Sequence, residues 1–367
     1  MENNSKPQEL SCNPSDINSI NRSIKHRKKH RYIWAWIYGF ALTAYTIYTL
    51  LDVFVIPHDT VKMNQSAMAE VYQNTAEQGH ILADENNTSD SSLNFTEENT
   101  ANDISESADT VVGLSLTDPT VTATENGYIY EDGSTTITLS RYYVYDTMIY
   151  VADIQLSSIA AIKSGLANDS FGRNVKEKTS DIAERVEAIL AVNGDYYGFR
   201  DSGYVIRNGI LYRSEASSAE AQDLVIYTDG SMEIIHEGDI SAESLLERGA
   251  LQVYSFGPGL VENGEITVNE DSEVGHAMNS NPRTAIGYIT PLHYVMVVSD
   301  GRTSESAGLS LLQLASILKE LGCETAYNLD GGGSTTMYFN GEIINNPTTN
   351  GHNESERKVS DIVYIGY

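Results

Sequence analysis

The hydrophobic and polar positions divide the chain into three parts. Residues 32–51 carry no charged side chain, residues 57–120 are mostly polar and acidic, and from residue 121 onward short apolar runs alternate with turn residues. An uncharged run of this length, at about 1.5 Å per residue, can cross a hydrocarbon core of about 30 Å. The pattern therefore predicts a transmembrane helix, a linker and a single globular domain.

The charges on the two sides of the apolar run differ in sign. Asp52 and an acidic stretch follow the run, whereas basic side chains precede it: Arg22, Lys25, Arg27, Lys28, Lys29 and Arg31. Lysine and arginine collect on the cytoplasmic side of a membrane span. The run is too long for a cleaved signal peptide, and no small-residue cleavage site follows it closely. We expect residues 1–31 to form a cytoplasmic tail, residues 32–56 a single-pass signal anchor in the lipid bilayer of the cell membrane, and the rest to be extracellular.

Residues 57–120 have the composition of a disordered linker. They are rich in Ser, Thr, Asn, Asp and Glu, and Lys62 is their one lysine. Such a stretch buries too little apolar surface to offset the entropy lost on ordering. Residues 61–75 are an exception, because apolar side chains there could line one face of a short helix. These side chains are Met63, Met68, Val71 and Tyr72.

The overall charge excludes one class of partner. The formal net charge is -28, from 51 acidic and 23 basic residues, and nucleic-acid phosphates are held by lysine and arginine. We therefore expect no nucleic-acid partner. The two cysteines, Cys12 and Cys323, fall on opposite sides of the apolar run. An extracellular domain would then be stabilised by its core without an internal disulfide.

Residues 121–367 predict one α/β domain with a mixed sheet and flanking helices. β-Branched and aromatic residues predict strands over 134–143 and 147–152, and a polar helix follows over 176–186. Three further apolar runs each end on small or acidic residues; they are 188–192, 293–299 and 325–329.

A helix joins the second and third of these apolar runs. Ser310 is a good N-cap with Gln313 three residues later, and Gly322 can end the helix. Strand, helix and strand in this order predict two parallel strands with a right-handed crossover. Asp300 and Asp330, which follow the two strands, should therefore lie at the same sheet edge, one or two strand spacings of about 4.8 Å apart.

Carboxylates at such an edge are compatible with several functions. Asp300 and Asp330, with Asp195 as a third member after another strand, could act as the acid and the nucleophile or base of a glycosidase. They could also hold a divalent metal, although the sequence requires no cofactor and assigns no metal ligand. Aspartates after strands also cap turns, which is the structural alternative for each of the three.

The most distinctive string is Asn328-Leu329-Asp330-Gly331-Gly332-Gly333-Ser334-Thr335-Thr336. Successive glycines are kept where backbone amides approach a ligand or turn around an anion; a tight turn between strands is the alternative. The string lacks the lysine of a Walker phosphate loop. Arg283 and Arg302 could grip an anionic oxygen in the same region, or pair with surface carboxylates.

An ordered set of short motifs adds a family resemblance. The set is Asn193-Gly194-Asp195-Tyr196-Tyr197, Pro282-Arg283-Thr284-Ala285-Ile286-Gly287, Asp300-Gly301-Arg302, the helix end Glu320-Leu321-Gly322, Asn328-Leu329-Asp330-Gly331-Gly332-Gly333-Ser334-Thr335 and Asn346-Pro347. In this order it resembles the phosphodiester glycosidase family, most clearly over residues 185–367. The resemblance implies an enzyme that hydrolyses the bond between the anomeric carbon of a sugar and a phosphodiester oxygen.

The expected site combines this resemblance with the chemistry of the residues. We expect Asp195, Asp300 and Asp330 to be catalytic, with their individual roles unassigned. The expected substrate-binding residues are Asn193, Arg283, Arg302, Gly331, Gly332, Gly333, Ser334, Thr335 and Asn346. An extracellular domain of this kind would act on a sugar-phosphate polymer of the cell envelope, such as an exopolysaccharide, or on another glycoconjugate. A metal-dependent phosphodiesterase that cuts the P–O bond and a non-catalytic polymer-binding module are the alternatives.

Overall fold

The computed structural model describes residues 14–85, 118–272 and 280–367. Its contacts divide the chain into two compact units, Met1–Pro57 and His58–Tyr367. The first part of the predicted tail, residues 1–13, and half of the predicted disordered linker, residues 86–117, lie outside the described residues.

The described residues form helices and strands in the following order along the chain. The helices are α1 (Pro14–Phe54), α2 (Gln65–Glu85), α3 (Thr179–Arg185), α4 (Ala242–Glu247) and α5 (Leu311–Glu320). The strands are β1 (His58–Lys62), β2 (Thr120–Thr124), β3 (Gly127–Glu131), β4 (Thr135–Val144), β5 (Thr147–Leu156), β6 (Ile162–Leu166), β7 (Ser170–Arg173), β8 (Leu190–Asn193), β9 (Val205–Arg207), β10 (Ile210–Arg213), β11 (Gln222–Tyr227), β12 (Met232–His236), β13 (Ala250–Tyr254), β14 (Gly259–Glu262), β15 (Glu265–Ile266), β16 (Arg283–Thr290), β17 (His293–Ser299), β18 (Thr325–Asn328), β19 (Met337–Phe339), β20 (Glu342–Ile343) and β21 (Asp361–Ile365).

The first unit contains α1, whose second half is long and apolar enough to cross a membrane. The segment Ile33–Phe54 has 22 residues and a mean hydropathy of 1.3, and none of its most apolar window is buried within the protein. Trp34 and Trp36 are 73% and 80% exposed. These properties make the segment a candidate transmembrane helix.

The second unit begins earlier than the sequence predicts. Strand β1 pairs antiparallel with β7, and α2 buries Tyr72 in the core. The Tyr72 hydroxyl donates to the Ile162 carbonyl at 3.0 Å and to Asn208 Oδ1 at 2.8 Å. The helix expected within residues 61–75 is present as part of α2, and its face with Met68, Val71 and Tyr72 packs against the core. Strand β1 is an addition that the sequence did not predict.

Within the described residues, the strands of the second unit form several sheets with antiparallel pairing between neighbours. The largest has the strand order β15-β14-β18-β16-β17-β5-β4-β3-β2. Two smaller sheets have the orders β10-β9-β13-β11-β12 and β20-β19-β8-β21-β6, and β1 pairs with β7. Helices pack around these sheets, so the predicted α/β fold class is confirmed.

The large sheet is buried on both faces at β17. Along β17, Tyr294, Met296 and Val298 point into a core shared with the smaller sheets, whereas Val295 and Val297 point into a core shared with α5. This strict alternation, with apolar residues on both sides, explains why the strand is a continuous apolar run in the sequence. The predicted site residue Asp300 therefore follows a strand that is buried on both sides.

The predicted strand–helix–strand unit is present, with one addition. Strand β16 lies between β17 and β18 and is antiparallel to both, so β17 and β18 are parallel and two strand positions apart. Helix α5 joins them and has the predicted capping box between Ser310 and Gln313. The carboxyl ends of β17 and β18 consequently lie at one edge of the sheet, beside the start of β16.

Candidate active site

Asn193 connects this sheet edge to the smaller sheet that contains β8. Its Nδ2 donates to the Asp330 carbonyl oxygen at 2.6 Å, and its Oδ1 accepts from Thr284 Oγ1 at 2.8 Å and from the Thr336 amide at 3.2 Å. The residue is fully buried. Asn193, predicted to bind substrate, thus uses both ends of its side chain to position the loop that follows β18.

Asp195 is fixed on both carboxylate oxygens. Its Oδ1 accepts from the Tyr197 amide at 2.7 Å. Its Oδ2 accepts from Arg207 Nη2 at 2.8 Å and from the Ser255 amide at 3.2 Å. The residue is 2% exposed, so the carboxylate is held in a single orientation.

Arg207 bridges Asp195 to a second buried carboxylate. Its Nε donates to Asp361 Oδ2 at 2.7 Å, and all three side chains are at most 1% exposed. Burial alone would lower the pKa of Arg207, but the facing carboxylates of Asp361 and Asp195 raise it above its ordinary value. Burial raises the pKa of Asp361, and Arg207 opposes that rise. We call Asp195, Arg207 and Asp361 the buried triad.

The three glycines of the loop after β18 allow other groups to approach it. A Cβ at Gly331 would lie 2.8 Å from the Pro282 carbonyl oxygen, and one at Gly332 would lie 2.7 Å from Arg302 Nη2. A Cβ at Gly333 would collide with Thr349. Gly332 also has a φ of 61°, which favours glycine.

Several amides of this loop donate within the protein. The Gly332 amide donates to the Pro282 carbonyl at 2.8 Å, the Ser334 amide to Gly331 at 3.2 Å and the Thr335 amide to Gly332 at 3.3 Å. The last two close a 3₁₀ turn over Gly332–Ser334. In the described residues, these amides are bonded within the protein, and the glycines allow neighbouring side chains to pack closely against the loop.

Two guanidinium groups converge on the loop. Arg302 packs against Gly332 and donates through Nη1 to the Thr349 carbonyl at 2.6 Å. Arg357 donates through Nε and Nη2 to Ser334 Oγ at 2.9 and 2.7 Å. Burial lowers the pKa of Arg302, and the positive charge of Arg357 lowers it further. The loop after β18 therefore has a guanidinium group against Gly332 and another against Ser334.

Asp330 lies beside these arginines. Its backbone amide donates to the Gly194 carbonyl at 3.2 Å, which places it next to the Asp195 segment. Its Oδ2 accepts from Arg357 Nη2 at 3.3 Å. Burial raises the pKa of the Asp330 carboxyl, and the charge of Arg357 opposes that rise.

Asp195 and Asp330 open into one cleft of about 360 Å³, which we call the first cleft. Its lining consists of Lys176, Asp195, Tyr196, Phe199, Asp330, Ser334, Arg357, Lys358, Val359 and Ser360. The rings of Tyr196 and Phe199 stack with centroids 4.6 Å apart, and Lys176 Nζ lies 5.4 Å from the Phe199 centroid. The first cleft thus combines two carboxylates, three cationic side chains and an aromatic wall.

Asp300 lines a different cleft. Its Oδ1 accepts from the Asn346 amide at 2.9 Å, and its Oδ2 accepts from Asn346 Nδ2 at 3.1 Å and from the Tyr150 hydroxyl at 3.2 Å. Burial raises the pKa of Asp300, and the hydrogen bonds from Asn346 oppose the rise. The structure therefore brings Asp300 to the same sheet edge as Asp330 but separates the clefts that they line.

Two further predicted ligands lie in the interior. Arg283 is 4% exposed, and its Nε donates to the Leu309 carbonyl at 2.9 Å. Thr335 is fully buried, and its carbonyl accepts from Asn345 Nδ2 at 3.1 Å. Both residues are therefore enclosed by the protein rather than placed on a cleft wall.

The arrangement of carboxylates also bears on metal binding. Across residues 14–85, 118–272 and 280–367, no group of three or more His, Cys, Asp or Glu side chains is placed to hold a metal ion. The charged groups that line the first cleft are aspartate, lysine and arginine side chains.

Comparison with known proteins relates part of this sequence to a family. Residues 186–366 match the phosphodiester glycosidase family model. The SPbeta prophage-derived uncharacterized protein YomE of Bacillus subtilis (strain 168) is 31% identical over 208 residues, which are 54% of this chain and 31% of YomE. N-acetylglucosamine-1-phosphodiester alpha-N-acetylglucosaminidase of Mus musculus is 29% identical over 196 residues, which are 48% of this chain and 37% of the mouse protein. The chain thus spans about a third of the length of these relatives.

A solved structure shows the same fold. It is the zebrafish N-acetylglucosamine-1-phosphodiester alpha-N-acetylglucosaminidase catalytic domain, auto-inhibited by its pro-peptide. The similarity has a TM-score of 0.51 at 21% identity and covers 64% of this chain and 83% of the zebrafish chain. Through residues 186–366, this chain belongs to the phosphodiester glycosidase family.

Proposed function

We propose that the protein is a hydrolase that cleaves the C1–O bond of a sugar 1-phosphodiester. The observation that carries the proposal is the Arg357 guanidinium, which contacts both the Asp330 carboxylate and Ser334 Oγ, while Arg302 packs on Gly332 of the same loop. An anion seated by two arginines next to a carboxylate is the charge arrangement that a sugar phosphodiester needs. The family supports the same reaction class.

The two arginines hold the phosphate in this proposal. Arginine binds phosphate oxygens with paired hydrogen bonds, and a phosphate between Arg302 and Arg357 relieves their mutual repulsion. The Ser334 hydroxyl, which already accepts from Arg357, completes the phosphate end of the site. Departure of the phosphate requires little general-acid assistance, because a phosphate monoester is a good leaving group.

The first cleft holds the sugar. Asp330 contacts Arg357, so a phosphate on that arginine places the anomeric carbon near the Asp330 carboxylate. Asp330 then acts as nucleophile or base, and Asp195 binds sugar hydroxyls and stabilises the oxocarbenium-like charge. In the overall reaction the oxygen of one water bonds to C1, and the C1–O bond breaks. The bonding electrons leave with the phosphate oxygen, giving a free sugar and a phosphate monoester.

The proposal includes a cellular setting. The length and hydropathy of Ile33–Phe54 support a membrane anchor, and the basic residues before this segment favour a cytoplasmic N-terminus. The second unit then lies outside the cell, where a sugar-phosphate polymer or glycoconjugate of the envelope is the substrate. N-acetylglucosamine, which the names of the mouse and zebrafish relatives contain, is the first sugar to test.

The test uses the methyl diester of N-acetylglucosamine 1-phosphate with the purified protein. We expect free sugar and methyl phosphate as products, and a fall in kcat of at least about a hundredfold in Asp330→Asn. The exposed Glu342→Gln variant controls for a general loss of charge. Sugar 1-phosphate as product, lost with a chelator, would instead identify a phosphodiesterase. Substrate binding without turnover would identify a binding module.

A further inference from the structure

Helix α2 places a tyrosine hydroxyl beside the strand that carries Arg207. Tyr72 is 8% exposed, and its hydroxyl oxygen lies 2.8 Å from Asn208 Oδ1 and 3.0 Å from the Ile162 carbonyl oxygen. Asn208 directly follows Arg207 in the chain and is buried. A side chain that precedes the family match at residues 186–366 thus contacts the neighbour of the cation in the buried triad.

The residue before Tyr72 packs against the same turn of the chain. Asn208 and Gly209 form the two-residue turn between β9 and β10, with φ angles of 53° and 71°. Two positive φ angles in succession are typical of a type I′ hairpin turn. A Cβ at Gly209 would lie 2.7 Å from Val71 Cγ1. Helix α2 therefore packs closely on a tight turn that directly follows Arg207.

Gln252 connects Tyr72 to strand β13. Its Nε2 donates to the Tyr72 hydroxyl at 3.2 Å and to Asn208 Oδ1 at 2.8 Å. Its Oε1 accepts from the Asn208 amide at 3.0 Å and from Ser164 Oγ at 2.7 Å. Because Gln252, Asn208 and Ser164 are all buried, these hydrogen bonds fix β13 against the turn after Arg207.

Strand β13 also contacts Arg207 directly. The Val253 carbonyl accepts from Arg207 Nη1, and the centroid of the Tyr254 ring lies 4.2 Å from Arg207 Cζ. A guanidinium group over an aromatic ring is held by cation–π attraction. Gln252 immediately precedes Val253. The strand that Gln252 fixes is therefore one of the supports of the Arg207 side chain.

We propose that Tyr72 is a positioning residue of the active site, which orients Asp195 through Arg207. The inference rests on the proposed function, in which Asp195 binds the sugar and stabilises its developing charge. Arg207 Nη2 lies 2.8 Å from Asp195 Oδ2, so the orientation of the guanidinium group sets that of the carboxylate. Tyr72 does not line the first cleft and acts at a distance from the substrate.

Misplacement of Asp195 affects the reaction more than it affects phosphate binding. A displacement of about 1 Å in a group that stabilises transition-state charge can lower a rate about a hundredfold. In the proposed function the phosphate is bound by Arg302 and Arg357, which do not belong to the buried triad. Loss of the Tyr72 hydroxyl should therefore lower kcat and leave the affinity for phosphate groups unchanged.

The experiment compares Tyr72→Phe with Tyr294→Phe in the hydrolysis of the methyl diester of N-acetylglucosamine 1-phosphate. Tyr294 is the matched control, because it is buried and its hydroxyl donates to the Gly230 carbonyl at 2.6 Å, a bond that involves neither Arg207 nor its chain neighbours. At a temperature at which all three proteins are folded, we expect kcat to fall roughly tenfold in Tyr72→Phe alone. The inhibition constant of methyl phosphate should be the same in all three. Equal kcat in the wild-type protein and in Tyr72→Phe overturns the positioning role and leaves the proposed function intact.

Hydrogen exchange, followed by mass spectrometry on the full chain, separates the inference from the proposed function. Amides of β9 and β13 should exchange faster in Tyr72→Phe than in the wild-type protein, whereas Tyr294→Phe should leave them unchanged. If the wild-type protein releases no sugar, the proposed function is overturned, and faster exchange at β9 still supports the contact of Tyr72 as the support of Arg207. Unchanged exchange at β9 in Tyr72→Phe overturns the inference whatever the rate of hydrolysis.

Discussion

Arg357 Nη2 lies 3.3 Å from Asp330 Oδ2, and the same guanidinium donates to Ser334 Oγ. Burial raises the pKa of the Asp330 carboxyl, and the positive charge of Arg357 opposes that rise. In the proposed function, Arg357 binds the phosphate and also contacts the Asp330 carboxylate. Substrate binding is then coupled to the pKa of Asp330.

Replacing Arg357 should move the acidic limb of the pH–rate profile. Burial raises the pKa of Asp330 and Arg357 opposes the rise, so removing the charge lets the pKa climb further. The proposed nucleophile or base is the ionised carboxylate, so Arg357→Gln should shift the acidic limb of kcat/KM to higher pH. Arg357→Lys retains the charge and should shift the limb less. Identical acidic limbs in the wild-type protein and in Arg357→Gln would contradict a catalytic role for the ionised Asp330 carboxylate.

Gly332→Ala should weaken activity through Arg302. The new Cβ would lie 2.7 Å from Arg302 Nη2, and the backbone φ of 61° disfavours a side chain. We expect kcat/KM to fall by roughly 10-fold to 100-fold, with a stability loss of about 1 kcal/mol. Gly341→Ala is the matched control, because Gly341 also has a positive φ but has no atom within 4 Å of its Cβ position. Equal losses of activity in both variants would contradict a role for Arg302.

Arg207→Met should strongly destabilise the protein. The substitution leaves the buried carboxylates of Asp195 and Asp361 without their shared cation. Denaturant unfolding should show a loss of about 3–5 kcal/mol. Arg173→Met, which breaks an exposed pair with Asp201, should cost less than about 1 kcal/mol. Similar losses of unfolding free energy in the two variants would contradict a stabilising role for the buried triad.

Asp223→Asn should flatten the pH dependence of stability. Asp223 is fully buried, and burial raises its pKa to about 10. The folded state therefore holds a proton that the unfolded state, with a pKa of about 3.9, releases. Wild-type stability relative to the variant should fall with rising pH between pH 5 and 8, by at most about 1.4 kcal/mol per unit. Asp201→Asn, at an exposed site, should leave the wild-type pH dependence unchanged. A constant stability difference between the wild-type protein and Asp223→Asn would show that Asp223 is ionised when folded.

The parts of the fold that the sequence predicted are those with local signals. The capping box at Ser310 and Gln313 and the apolar run of β17 depend on residues a few positions apart, and both are present. The apolar face with Tyr72 was such a local signal, and it lies on α2. Strand β1 was not predicted, because its pairing with β7 joins residues far apart in the sequence.

The residues that the sequence did not identify act through distant contacts. Asp361 is 154 residues from Arg207, and Arg357 is 27 residues from Asp330. None of these pairs has a fixed spacing that a motif could reveal. One weak signal existed for Arg207, since an arginine after Val205 and Ile206 in an apolar strand implies a buried partner.

The central claim is that the C1–O bond breaks. Its most direct test is to hydrolyse the N-acetylglucosamine 1-phosphate methyl diester in ¹⁸O-labelled water and to analyse the methyl phosphate by mass spectrometry. C1–O cleavage bonds the water oxygen to the sugar, so the account predicts methyl phosphate without ¹⁸O. Methyl phosphate that contains ¹⁸O, or sugar 1-phosphate as the product, would contradict it.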